Sequence, residues 1–301
     1  MLHSLTSQHV VFSYNPDLAP ALKVADGDIV DVETRDCFNG QIQHERDVIS
    51  SEIDIHSANP VTGPIYVDGL EVGDGLALEI LEIKLNRHVI TGLMPGIGVL
   101  AGRYSSRRTV LGVYDGERVS VNNLELPARV MIGTIGTAPR TGSVPSLLMG
   151  EHGGNMDHPA ATVNSTIYLP VNTPGGLFSV GDLHAAMGDG EITALSAEGS
   201  GWVRLQVRIV KGRSVKHPYF RTPTGWATTG QGSELSRAIA NACADMAELL
   251  MTEHGLSVDD AAIVIGLCGD VRVSQCAGVP GMDCTARCCV PFLNISKGPA
   301  Q

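Results

Sequence analysis

The sequence predicts a mainly β chain with an α+β part towards its C-terminal end. Three observations support this. Residues Trp202–Val210 alternate strictly, with Val203, Leu205, Val207 and Ile209 set against Arg204, Gln206 and Arg208, as in a strand with one wet face. Glycine is abundant at 35 residues while aromatic side chains make up only 4%, which suits many short strands joined by tight turns. The 3.6-residue apolar period of a helix appears only from about Ser233 onward. Strands followed by helices, with more strands after them, argue for α+β or a β-sandwich with an α/β appendage, and against a doubly wound sheet. A length of 301 residues fits about two domains or one large β domain. The expected division is a β-rich region over residues 1–211 and an α+β region over residues 212–301, with one compact unit as the alternative.

Each element has its own warrant. Asp28–Thr34 puts Val30 and Val32 on one face of a strand. In Asn59–Gly69, Pro60, Gly63 and Pro64 predict a turn that delivers Ile65–Val67 into a strand. In Leu76–Leu85 the apolar phase runs Leu76, Leu78, Ile80 and then Leu81, Ile83, Leu85. A period of two that slips by one residue predicts a β-bulge or a change of buried face. Ser233 is the expected cap of a helix running to His254, and Gly255 its stop. Ser257 with Asp260 resembles a capping box opening a second helix.

Charge narrows the function classes. There are 21 basic against 32 acidic residues, a net charge of −11. That argues against nucleic acid, which needs a basic footprint, and against docking on anionic lipid. No window of about 18 apolar residues would span a membrane, and the start MLHSLTSQHVVF lacks a secretion pattern. With 7 cysteines and no such pattern, reduced thiols in a cytoplasm are the expectation.

Several motifs are absent: G-x-S-x-G, H-E-x-x-H and the P-loop. Gly96-Ile97-Gly98 is followed by glycine only at Gly102, so the dinucleotide fingerprint fails. Cys268, Cys276, Cys284, Cys288 and Cys289 form no C-x-x-C pair and are poorly spaced for structural zinc.

Two loops carry the chemistry. Glu151, His152, Asn155, Asp157 and His158 crowd around Gly153-Gly154, where the backbone turns sharply and approaches a ligand closely. The competing reading is a polar surface turn capped by Asn155 and Asp157. The second loop, Phe178–Glu191, has Asp182 and His184 two apart, on one side of a strand, and Asp189 and Glu191 in the same relation. A hairpin turn at Asp189-Gly190 explains only part of it. Carboxylates with imidazoles suit zinc, manganese or iron; carboxylate with amide oxygen suits calcium or magnesium. A metal lowers the pKa of bound water to about 7 and polarises a carbonyl.

Asn59–Gly69 (NPVTGPIYVDG), Gly150–Asp157 and Phe178–Glu191, with Asp36-Cys37-Phe38-Asn39-Gly40-Gln41 more loosely, resemble the acetamidase/formamidase family, in order along nearly the whole chain. The resemblance implies hydrolysis of a short-chain amide to a carboxylate and ammonia. It also implies a β-sandwich with smaller barrel-like and α+β parts, and a homodimer. Two positions depart from the family pattern, which often has aspartate at Glu151 and glutamine at Met187. A thioether at a pocket-facing position 187 would shift preference away from formamide or acetamide.

The residue assignments follow. His152 and His184 are leading candidates for metal ligands or proton shuttles, with Asp157, Asp182 and Glu191 as further ligands. Glu151 is a ligand or general base. Asn155 holds the amide or its developing oxyanion, and together with Glu151, His152 and His184 makes the expected catalytic set. Asp36, Gln41 and Met187 are the expected substrate contacts. The cofactor is a divalent metal, zinc first, with calcium or manganese as alternatives. Two rival readings stand beside this metal-activated hydrolase: an amidase with Cys37 as nucleophile, and a non-catalytic module whose loops hold a structural cation. His56, His158, His217 and His254 are read as structural, and Asn59–Gly69 as architectural.

Overall fold

A computed structural model describes residues 1–47 and 58–294, so His56 lies outside the described residues. The chain is mainly β, with an α+β part near its C-terminal end. The strands that build the core and the site are β1 (Ile29–Thr34), β2 (Val61–Val67), β3 (Gly75–Leu93), β4 (Met131–Gly136), β5 (Gly153–Asn155), β6 (Phe178–His184) and β7 (Glu198–Val210). After them come β8 (Gly225–Gly232), α1 (Leu235–His254), α2 (Val258–Cys268), β9 (Asp270–Gln275) and β10 (Cys284–Pro291). Strands on either side of residue 211 share ladders, since Thr166–Pro170 pairs with both β3 and Tyr219–Arg221.

The long β3–β7 ladder forms the scaffold. Leu76, Leu78, Ile80, Val203, Leu205 and Val207 are fully buried in it, as are Val30 and Val32 of β1, which pairs with β7. Each such side chain contributes on the order of 1.5–3 kcal/mol by leaving water. The phase slip in Leu76–Leu85 is a bulge. Arg204 pairs with Glu82 but Leu205 with Ile80, so Leu81 is skipped. A second slip falls at Gly201, where a Cβ would stand 2.2 Å from the Lys84 carbonyl oxygen, so only glycine lets the strands close.

β6 is the central strand for function. It pairs with β4, β2 and, at its end, β7, setting His184 opposite Glu198. Every residue in it is buried, so its polar side chains must find partners inside the protein.

Three details differ from the sequence expectations. Gly63 and Pro64 lie within β2 rather than in a turn before it, joined by a cis peptide bond; a Cβ on Gly63 would stand 2.2 Å from Ser179 Oγ, so close strand packing sets its identity. α1 is capped by Glu234 with no side-chain hydrogen bond, not by Ser233, which lies one residue too early. Cys276 and Cys284 form a disulfide, which corrects the expectation of reduced thiols at this pair, where the turn from β9 to β10 brings their Cα atoms to 4.4 Å. The helix stop at Gly255 (φ 65°) and the Ser257 cap, accepting from the Asp260 amide, are as expected.

α1 packs its face of Ala238, Ala242, Met246 and Leu250 onto β8 and β10. A Cβ on Gly230 would stand 2.1 Å from the Ala238 carbonyl oxygen, so that glycine sets the helix-to-sheet distance.

Candidate active site

Four segments deliver side chains to one buried point. Asp182 and His184 come from β6, Asp157 from just after β5, Glu191 from the loop after β6, and Glu198 from the first position of β7. Asn59 (φ 57°), Asp157 (φ 44°), Asp182 (φ 58°) and Glu191 (φ 42°) all adopt left-handed backbone conformations. Such a conformation costs a non-glycine residue about 1–2 kcal/mol and persists where its surroundings over-determine it. Four of the nine non-glycine residues with positive φ among the described residues thus lie at this point.

At the centre is His184 Nε2. It lies 3.2 Å from Glu198 Oε2, 3.4 Å from Asp182 Oδ1 and 3.7 Å from Asp157 Oδ1, with all four side chains buried. A charge-assisted N–H···O bond would be about 2.7–2.9 Å long, and one ring proton serves one acceptor well. Two ligands about 2.0–2.1 Å from an ion at the tetrahedral angle stand roughly 3.3–3.4 Å apart. The observed spacing matches that of shared ligands better than that of hydrogen bonds. Asp157, Asp182 and His184 form one donor group, His184, Glu191 and Glu198 a second, and Cys37, Asp182 and Glu198 a third, with the ligand atoms of each group within 4.8 Å of one another.

An outer layer holds these acids. Asn59 Nδ2 lies 2.9 Å from Asn155 Oδ1 and 3.2 Å from Asp182 Oδ2. Thr134 Oγ1 donates within the same group, and Asn155 Nδ2 donates to Asp157 Oδ2 at 3.0 Å. From β9, Gln275 Nε2 donates to Asp157 Oδ2 and to Glu191 Oε2, the latter at 2.7 Å. Ser196 Oγ donates to Glu191 Oε1 and its backbone N–H to Glu198 Oε1. Asp157 Oδ1 and Asn59 Oδ1 are buried without a partner. A Cβ on Gly133 would lie 2.4 Å from Asp182 Oδ2 and 2.6 Å from Asp157 Oδ1, so a glycine leaves these carboxylates their room.

Four carboxylates thus surround one imidazole. Burial pushes Asp157 well above the usual carboxylate range, with Glu191 adding to the rise. Burial raises Glu191 and brings Glu198 to about 7. Burial would also raise Asp182, but His184 and the Asn59 and Thr134 donors hold it below the usual range. His184 is raised well above the ordinary histidine value, because Glu198 and Asp182 outweigh its desolvation.

Of the residues expected from sequence, Asp157, Asp182, His184 and Glu191 converge, and Asn155 joins them through hydrogen bonds. His152 does not stand in a donor group among the described residues. It is buried against Tyr14, ring centroids 4.9 Å apart, its Nε2 unpartnered, and burial lowers its pKa to about 4. Glu151 is exposed and lines a separate cleft with His217 and Asp245. Asp36 caps its own turn, accepting from the Phe38 and Gly40 amides. Gln41 is exposed. Met187 is buried, its carbonyl oxygen accepting from Arg129. Sequence reasoning did not single out Thr134, Ser196, Glu198 or Gln275, and it read Asn59 as architectural. Only Asn59 carried a signal, the start of the NPVTGPIYVDG string.

The sequence profile described as the Acetamidase/Formamidase family matches residues 3–147 and 140–292. A crystal structure of an acetamidase from Bacillus halodurans is 36% identical, with a TM-score of 0.90, covering 96% of this chain and 97% of that one. A predicted acetamidase/formamidase from Thermoanaerobacter tengcongensis is also 36% identical, with a TM-score of 0.91, covering 97% and 96%. The formamidase of Methylophilus methylotrophus is 27% identical over 70% of this chain and 68% of its own length. The chain spans about two thirds of the length of the curated relatives it matches.

Proposed function

The chain belongs to the acetamidase/formamidase family, and from that premise we propose that it hydrolyses short-chain amides to a carboxylate and ammonia at the His184 cluster. The observation that supports this most is the setting of His184 Nε2, buried among three carboxylate oxygens 3.2–3.7 Å away. Burying that many acids is costly unless they are protonated or share a cation. The donor set, its ligand-like spacing and the bare Asp157 Oδ1 fit a divalent ion held by His184, Asp182 and Asp157, whose donor atoms all lie within 4.8 Å of one another. When bound, such an ion supplies a water of lowered pKa and a Lewis acid for the amide carbonyl.

The chain's own residues supply the rest. Glu198, with a pKa of about 7, is matched to proton transfer near neutrality: its carboxylate takes a proton from the attacking water and returns it to the departing nitrogen. His184 stands at the centre from the end of β6, its Nε2 facing the acids and its buried Nδ1 without a hydrogen-bond partner. Asn155 is already committed at both ends of its amide, so its role is to position Asp157. Enclosure by β4, β6 and β7 keeps bulk water away, which strengthens each charge interaction. Cys37 as a nucleophile is the weaker reading: burial and the Glu198, Asp182 and Asp36 charges push its thiol well above 9, away from the reactive thiolate.

The test is ammonia release from formamide, acetamide and propionamide by the purified protein, before and after chelation and with zinc restored. Turnover of at least one amide, lost on stripping and regained with metal, is expected. No ammonia from any small amide would overturn the substrate assignment, and full activity in stripped protein the metal. A structural cation module would bind metal yet turn over nothing.

A further inference from the structure

We infer that Cys276 and Cys284 form a reversible thiol–disulfide site whose oxidation state governs the order of two acid-bearing loops and, through Gln275, the rate of the amide hydrolysis. The effect on rate rests on the amidase reading above; the effect on the loops does not. Among the described residues this pair is joined by a disulfide, while Cys37, Cys243, Cys268, Cys288 and Cys289 are free thiols.

Each half of the bridge stands beside a group that holds one acid-bearing segment. The Cys276 amide donates to the Gly190 carbonyl oxygen at 2.8 Å, and the Gly190 amide donates to the Ser274 carbonyl oxygen at 3.0 Å. Gly190 precedes Glu191, so the end of β9 is stitched to that loop on both sides of Gln275. On the other strand, Cys284 precedes Thr285. Thr285 Oγ1 accepts from the Gln275 amide at 2.9 Å and donates to the Met156 carbonyl oxygen at 3.2 Å, and Met156 precedes Asp157. Between these two ties lies the Gln275 side chain, whose Nε2 donates to both Asp157 Oδ2 and Glu191 Oε2. Gln275 and Thr285 are buried, whereas both cysteines are half-buried. A small thiol or disulfide in solution therefore reaches the bridge more readily than the groups the bridge holds.

The end of β9 has little else to fix it. Among the described residues its ladder runs to β10 alone, and the register slips between Val273 and Gln275. The connection to β10, a sequence separation of 8 between the cysteines, contains Gly278 and Gly281 at φ 66° and 82°. Cross-linking such a connection removes freedom from its open forms, and without the bridge a strand end of this kind opens locally at lower cost. Reduction breaks the sulfur–sulfur bond: two molecules of a small thiol supply two electrons and two protons, both cysteines become thiols, and the reductant leaves as its disulfide. Oxidation is the reverse, with a small disulfide taking up the two electrons and two protons.

The test equilibrates the purified full chain with glutathione and its disulfide at different ratios, with the state of Cys276 and Cys284 read by alkylation and mass spectrometry and metal content checked in each sample. Reduction should lower kcat on whichever of formamide, acetamide or propionamide is turned over best, by up to about tenfold, the low end for a residue that orients the groups of a reacting centre. Oxidation should restore it. A Cys276→Ser/Cys284→Ser double variant should stay at the reduced level in every buffer. In Gln275→Leu the disulfide should still form and break, but activity should no longer follow it. Hydrogen exchange of the Gly190 and Cys276 amides should quicken on reduction. Thermal melting checks that the variants fold, and the two states of the wild-type chain carry the test if the double variant does not. Thiols that stay free at every ratio, equal activity in the two states, a change that persists in Gln275→Leu, or exchange unmoved by reduction would each overturn the inference and leave the amidase reading standing. No turnover in either state would overturn the amidase reading and the effect on rate together, and hydrogen exchange would still decide the effect on the loops.

Discussion

Burial acts in opposite directions on Glu198 and His152. It raises the acid to about 7 and lowers the imidazole to about 4, because in each case the charged form loses water. For Glu198 the result suits the proton-transfer role proposed above. Glu198→Gln keeps the shape but removes the titrating group, so a loss of about 10²–10⁴-fold in ammonia release is expected, with the melting temperature near that of wild type. For His152 the consequence is stability. Its unfolded pKa is about 6.5, so between about pH 4 and 6.5 the unfolded chain holds a proton that the folded chain lacks. Stability therefore rises with pH across that window and is lost as pH falls through it, by at most about 3 kcal/mol. Melting curves from pH 7 to pH 4 should fall less steeply for His152→Leu than for wild type, and parallel curves would show that this ring is not the source. Gly133→Ala belongs to the same scale: a methyl 2.4–2.6 Å from two carboxylate oxygens must displace them, and zinc binding should be lost with activity.

At the scale of elements, β9 reaches from the C-terminal part to complete the site. Gln275 sits at its end and bridges Asp157 and Glu191, while Arg287 of β10 holds the Val273 carbonyl oxygen and Asp189, bracing the loop that carries Glu191. Gln275→Leu leaves two buried acids without their shared donor, a penalty of about 1–3 kcal/mol. A lower melting temperature and roughly tenfold weaker metal binding are expected, with binding measured by chelator competition; unchanged binding would make Gln275 purely structural. The elements themselves were legible. The alternation of Trp202–Val210, the phase slip at Leu81 and the Ser257 cap each appear where local periodicity put them. Gln275 and Glu198 were not, because their place depends on ladders joining distant segments, such as His184 opposite Glu198. Local pattern marks a loop as chemical, as it did for Asp157, Asp182, His184 and Glu191, but it does not say which side chains of that loop turn inward. The Gly153-Gly154 pair, at φ 97° and 89°, separates Glu151 and His152 from Asp157, and the two ends of one motif go to different environments.

For the whole molecule, an acidic chain of net charge −11 buries Asp157, Asp182, Glu191 and Glu198 around a single imidazole. Their repulsion is a cost of folding that a bound cation would offset. An ion that binds only the folded chain stabilises it by about 2.7 kcal/mol at a hundredfold excess over its dissociation constant. Chelator-stripped protein should therefore melt below the zinc-loaded protein at pH 8. The pH dependence of that gap is the sharper expectation. Asp157, Glu191 and Glu198 have raised folded pKa values, so the metal-free folded chain binds protons that the unfolded chain has already released. The contribution of these acids to its stability accordingly falls as pH rises from the unfolded carboxylate range, about 4, through the folded values, to about 7 for Glu198. Metal binding runs the other way, because its ligands must be deprotonated. Calorimetry of stripped and loaded protein between pH 5 and pH 8 should show the two melting temperatures diverging as pH rises. A gap independent of pH would place the metal somewhere other than these acids, and no gap at all would mean that protons alone neutralise them.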